Sequence, residues 1–124
     1  MSEEPEPAAG TQFGRPVGSF QAVKHRLADV AIALEFARPL VAGAAAALTE
    51  GRATAARDTS AAKVAATDAA RLAARAALQV HGAIGYTQEL DLHLWLTKVQ
   101  ALANAWGSQS SHRARVLAAL AACP

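Results

Sequence analysis

The sequence predicts an all-α protein, an antiparallel bundle of about four helices. Three observations carry this. Hydrophobic residues make up 52% of the chain and aromatics only 5%. Alanine dominates the apolar set; it is the best helix former and packs helices closely, but buries little area per residue. Apolar residues recur at helical spacing. Gly, Pro, Ser and Asp collect between the periodic stretches, where turns and caps are needed.

The elements follow in order. Residues 1–10, MSEEPEPAAG, read as a disordered acidic tail, with neither a signal nor a transit peptide pattern. Thr11 to Gly18 is turn chemistry, two Gly and a Pro around Phe13. Ser19 is a suitable N-cap for a helix from Phe20 to about Glu50, with apolar positions at Phe20, Val23, Leu27, Val30, Ile32 and Leu34. Gly51 is its stop, and Pro39 should kink it. At 1.5 Å per residue this helix is roughly 45 Å long, and so long an element in so short a chain needs companions.

Asp58, Thr59 or Ser60 can cap a second helix from Ala61 to about His81. Gly82-Ala83-Ile84-Gly85-Tyr86 then reads as a small-residue loop. A third helix runs from near Glu89 to near Gly107, with Leu92, Leu96, Val99, Leu102, Ala103 and Trp106 as its stripe. A fourth starts after Ser110-Ser111 and reaches Ala122, with Val116, Leu117 and Leu120 apolar.

Length and composition restrict the function. A chain of 124 residues suits one domain. Net charge is +2 and the basic residues are spread along the helices, which argues against a nucleic-acid partner. The longest apolar run, Leu40 to Leu48, is too short to span a bilayer, so no membrane partner is expected. The single cysteine, Cys123, rules out an internal disulfide framework and fits a reducing, cytoplasmic location.

The chemistry-bearing residues are few. No nucleophile elbow, zinc-protease helix or dinucleotide fingerprint is present. His25, His81, His93 and His112 fall on separate helices or helix ends, which favours isolated surface or helix-end histidines over a metal site. Asp91 and His93 are two apart, so they do not face each other on a helix; Glu89 and Asp91 suit a helix first turn. Gly82 to Tyr86 supports two readings. Its small residues let a ligand or another backbone come close, with Gln79 one turn before as a donor and acceptor.

Two ordered stretches carry a family resemblance. FGRPVGSFQAVKHRLADVAIALEFARPLV and, further on, LQVHGAIGYTQELDLHLWLTKVQAL closely resemble the C-terminal helical domain of acyl-CoA dehydrogenases. The resemblance covers roughly residues 11 to 122. It implies an FAD flavoprotein oxidising the α,β C–C bond of an acyl-CoA, as in fatty acid metabolism. It also implies oligomers in which this domain contacts a neighbour's FAD. By position, Gln12, Phe13, Gln21, Gln79, Gly82 and the backbone at Ala83 inherit the adenine and pyrophosphate contacts. Ser108 and Ser110 match positions near flavin and pyrophosphate.

The departures from the family pattern carry expectations too. The family arginine of the R-x-Q-F-G turn falls at Gly10, and the second glycine of the G-G pair is Ala83. The family's frequent Glu base falls at Trp106, which cannot take a proton, so no catalytic residue is assigned. The N-terminal helical and middle β-domains are not covered. The chain alone is therefore expected to be inactive and to complete the FAD site of a partner, either its own oligomer or an acyl-CoA dehydrogenase subunit carrying those domains. A missing bundle helix should leave an apolar groove along the first helix. The alternatives are a non-catalytic helical interaction or oligomerisation module, or a truncated remnant.

Overall fold

The computed structural model describes residues 11–12, 15–84 and 89–123. The acidic tail, Phe13, Gly85 and Tyr86 lie outside the described residues. At Gln12 and Ala83 only the backbone is described. Two short strands, β1 (Thr11–Gln12) and β2 (Arg15–Pro16), pair antiparallel with Gln12 opposite Arg15. Four helices follow: α1 (Val17–Thr49), α2 (Ala55–Ile84), α3 (Glu89–Asn104) and α4 (Gln109–Ala121). The all-α bundle expected from the sequence is the fold observed.

α1 begins directly after Pro16, so Ser19 lies inside the helix rather than capping it. Its 33 residues include Pro39 and continue through it as one element. The stop is as expected. Gly51 sits at φ +64, a conformation that costs glycine nothing. The Arg52 N–H bonds the Ala47 carbonyl at 2.9 Å and the Gly51 N–H bonds Leu48 at 3.3 Å, the paired pattern of a Schellman cap.

α2 starts six residues earlier than the sequence reading placed it, at Ala55 instead of Ala61. The Thr54 carbonyl accepts the first helical N–H, from Asp58, at 2.9 Å. Asp58 thus stands in the first turn, where a carboxylate complements the helix dipole. The Thr54 hydroxyl donates to it at 2.8 Å and Arg57 at 2.9 Å. These two partners, in that order of weight, hold its carboxyl below the usual carboxylate range. Ser60, one of the expected caps, is instead fully buried in the interior.

α2 is the hub. α1, α3 and α4 all pack on it, α1 most extensively. α1 and α2 run antiparallel, with the stretch Leu34 to Ala45 alongside Ala66 to Ala70. Among the described residues the fully buried apolar core is alanine: Ala37, Ala44 and Ala47 from α1, Ala62, Ala69 and Ala76 from α2, Ala103 from α3. Alanine seams let helix axes come close but contribute little hydrophobic free energy each. Many of the large apolar residues point outward instead, while others such as Leu72, Leu92 and Leu96 are half-buried. Phe36 is 72% exposed, Trp95 65% and Leu117 69%.

Contact with α4 is made differently, by buried polar groups. His112 is 5% exposed. Its Nδ1 lies 3.0 Å from the Ser60 hydroxyl and its Nε2 2.9 Å from the Trp106 carbonyl. The carbonyl only accepts, so Nε2 carries the proton and Nδ1 accepts from Ser60. Arg115 in turn donates to the Ser60 oxygen at 3.3 Å. The result is one directed chain from Arg115 through Ser60 and His112 to Trp106. Beside it the Gln109 amide donates to Asp68 at 2.8 Å and to the Val64 carbonyl at 3.3 Å. Arg113 reaches both Asp68 oxygens at 3.2 Å.

Candidate functional site

The expected cofactor residues fall into two patches. The first is the end of the antiparallel pair formed by the start of α1 and the end of α2. Gln21 lies in the first turns of α1 and Gln79 in the last turns of α2, and both are exposed. Neither side chain is engaged by another described residue, so each amide keeps a donor and an acceptor for something outside the chain. Gln12, on β1, precedes α1 on the same side of the sequence.

Gly82 and Ala83 are not in a loop. α2 continues through Ile84, so both sit in its final turn and their N–H groups face into the helix rather than toward a ligand. The physical reason is that one Gly inside an Ala-rich helix costs only about 1 kcal/mol, too little to end it. Gly82 is exposed, and a Cβ there would meet nothing within 4 Å. Tight packing against another described residue therefore does not explain this glycine. An approaching ligand or partner backbone still can.

The second patch is the turn between α3 and α4. Ser108 is the true N-cap of α4; its hydroxyl accepts the Ser111 N–H at 3.1 Å. Ser110, expected just before the helix, lies in its first turn, 3.1 Å from the Ser108 hydroxyl. Both are exposed. Gln109, between them, docks on α2 at Val64 and Asp68. Eleven residues separate Asp68 from Gln79 along α2, or about 16 Å at 1.5 Å per residue. The two patches are thus separate stations, reachable together only by an extended ligand.

Trp106, the position of the family's frequent base, is 84% exposed and has φ 57, unusual for a bulky residue. Gly107 follows at φ 109. The His112 ring holds this turn: a Cβ added at Gly107 would come within 2.9 Å of Nε2. An indole offers no proton acceptor, and its outward display suits contact rather than chemistry. Asp91 and His93 are both exposed on α3, as a helix-start and surface role requires.

The sequence reading missed Ser60, Gln109 and His112. The sequence places His112 among isolated surface or helix-end histidines; it does lie near the start of α4, but as the buried centre of a network. The available signal was its place one turn after the Ser108 cap, on the face α4 turns to an alanine-floored helix.

Comparison with known proteins accounts for this geometry. Residues 8–121 match the family model described as acyl-CoA dehydrogenase, C-terminal domain. The match begins inside the segment read as a tail. Acyl-CoA dehydrogenase IpdE2 of Mycobacterium tuberculosis is 44% identical over 92 residues, 74% of this chain and 27% of that protein. The 3-sulfinopropanoyl-CoA desulfinase of Paraburkholderia xenovorans is 38% identical over 109 residues, 88% of this chain and 28% of that protein. Acyl-CoA dehydrogenase FadE34 of M. tuberculosis is 40% identical over 108 residues, 86% of this chain and 15% of that protein. The chain spans little more than a quarter of the first two relatives and less of the third. No solved structure matches. By its helical order, its two motifs and a family match over nearly its whole length, this chain belongs to the acyl-CoA dehydrogenase family, in the region of the C-terminal domain.

Proposed function

We propose that this chain serves FAD-dependent oxidation of an acyl-CoA by supplying part of the cofactor site to a subunit that carries the N-terminal and middle domains. The observation that carries the reading is the pair of exposed, unengaged amides at Gln21 and Gln79, beside an open Gly82, in a chain of this family. When bound, FAD would accept the hydride from the acyl chain. The residues of this chain bind and orient. The two amides match the neutral donor and acceptor edges of such a cofactor, and Ser108 and Ser110 offer hydroxyls at the second patch. Trp106 neither donates nor removes a substrate proton, so the base belongs to the partner.

The relatives' names share an acyl-CoA thioester and differ in reaction, one being a desulfinase. The thioester class is therefore the firmer half of this proposal and dehydrogenation the more specific half. A non-catalytic helical module is the second reading, favoured by the outward display of Phe36, Trp95 and Trp106.

FAD titration into the purified chain, alone and with a candidate subunit, tests the proposal. Retention of FAD is expected only with the subunit. Gln79→Ala should weaken it about fivefold, the loss of one net hydrogen bond of about 1 kcal/mol. No FAD retained in either condition would overturn the reading. Dehydrogenation of an acyl-CoA by the chain alone would overturn the assignment of the base to the partner.

A further inference from the structure

We propose that Arg71 and Arg75 of α2 are a diphosphate-binding pair, set between the two cofactor patches and holding the diphosphate of an adenine nucleotide, either FAD or a coenzyme A thioester. With FAD as the source the inference rests on the cofactor reading; with coenzyme A it does not. Asp68, Arg71, Arg75, Gln79 and Gly82 follow one another at spacings of three, four, four and three residues along α2. On a helix that spacing makes one continuous stripe. Arg71 and Arg75 stand about 4.5 and about 10.5 Å along it from Asp68, and Gln79 about 16 Å, at 1.5 Å per residue. A ligand lying along α2 from one patch to the other passes both arginines.

The stripe is open where they stand. Gln109, the first residue of α4, docks on Val64 and Asp68, while His112 and Arg115 meet Ser60 farther back. α4 therefore starts at the level of Asp68 and runs antiparallel to α2, away from Arg71. Its N-terminal end adds positive potential at that level. Arg75 is exposed and Arg71 half-buried. The one acid of the stripe is already taken, since Asp68 accepts from Gln109 at 2.8 Å and from Arg113 at 3.2 Å.

Charge singles out this pair. Arg38 meets Glu35, Arg52 meets Glu50, Arg57 meets Asp58 and Arg113 meets Asp68. Arg71 and Arg75 have no ion-pair or hydrogen-bond partner among the described residues. Two like charges one turn apart repel, and an anion between them reverses that. A guanidinium is a planar fork that takes a phosphate on two N–H groups, so two forks one turn apart suit two linked phosphates. Arg26 is likewise unpaired, but the residues one turn from it are Ala22, Val23, Asp29 and Val30, none of them a cation. The arginine of the R-x-Q-F-G turn is absent at Gly10, so here the cations come from a different element. The groove expected along the first helix is present, about 430 Å³ beside Leu34, Val41 and Ala70, but apart from Arg38 its lining is apolar and offers a phosphate nothing. The segment Phe20–Thr49 of α1 is long and apolar enough to cross a membrane, a length missed by counting only the uninterrupted run from Leu40 to Leu48. Apolar surface thus collects on α1 and unpaired charge on this stripe.

The test titrates FAD, coenzyme A and riboflavin into the full chain, with and without a candidate subunit. The double substitution Arg71→Ala, Arg75→Ala should weaken FAD or coenzyme A about tenfold or more. Arg71→Lys, Arg75→Lys should recover part of the loss, and added salt should narrow it. Riboflavin carries the flavin without a phosphate and should bind both forms alike. Circular dichroism checks the helices, and Arg75→Glu alone, at an exposed position, gives the same test if the double variant unfolds. A loss confined to FAD assigns the cofactor's diphosphate, and one confined to coenzyme A assigns the thioester's. FAD and coenzyme A held equally by the wild type and the variants would overturn the pair and leave the cofactor reading standing. If no FAD is retained in any condition, the cofactor reading falls and coenzyme A decides: arginine-dependent binding keeps the pair, and absent or unchanged binding removes it. An equal loss of riboflavin would make the effect structural and overturn the proposal.

Discussion

α1 and α2 are nearly equal in length and lie along one another, yet their surroundings differ. α2 carries alanine seams and polar residues in a pattern that suits three neighbours, and it has three: α1, α3 and α4. α1 is apolar around most of its circumference but has its main contact on one side, with only 17% of its most apolar window buried. A helix apolar all round is ordinarily enclosed. The difference shows that α2 finds its full environment within these residues and α1 does not. That is the structural side of a chain spanning about a quarter of its relatives.

The comparison can be broken at its strongest point first. His112→Leu removes the partner of Ser60, in the contact between α2 and α4, and of the Trp106 carbonyl, in the turn that leads into α4. It should cost about 2–4 kcal/mol in urea unfolding, the penalty for stranding buried polar groups. A loss under about 0.5 kcal/mol, the size of an ordinary surface change, would show that the network does not hold α4. Gly107→Ala comes next, at about 1–3 kcal/mol, because it combines a left-handed backbone with a clash against His112. The clash component should vanish in a His112→Ala background, which a double-mutant cycle measures.

The outward face of α1 should behave in the opposite way. Phe36→Ser should leave unfolding within about 0.5 kcal/mol while reducing association of the chain, read by sedimentation. A loss as large as that of His112→Leu would mean Phe36 is enclosed within a single chain after all. The smallest effect belongs to Asp58. Its carboxyl is held low by Thr54 and then Arg57, so its contribution is present above the ordinary Asp value, about 3.9. That contribution disappears as pH falls through the lowered one. Asp58→Asn should lower stability slightly at neutral pH, leave the strongly acid end unchanged, and so flatten the acid limb of a circular-dichroism titration. An unaltered acid limb would remove the assignment.

Much of this was legible in the sequence, and the misses share a cause. The helix count, the start of the third helix and the Gly51 stop follow from period and glycine chemistry. The start of α2 does not. Asp58, Thr59 and Ser60 all look like caps, but alanines before them extend the helix, and Ser60 is buried by a histidine 52 residues away. Such long-range partners leave no local trace. Gly82 invited a loop reading, and the helix propensity of its neighbours prevailed. Of the cofactor set, Gln21 and Gln79 are where an external ligand can reach them, Ser108 is a helix cap, and Phe13 lies outside the described residues.

The central claim is that the apolar side of α1 belongs in an assembly. Light scattering on the purified chain over a range of concentrations tests it most directly. The account predicts a mass above the 12.8 kDa of one chain, falling toward it in Phe36→Ser. A well-folded species that stays at 12.8 kDa at high concentration would contradict it.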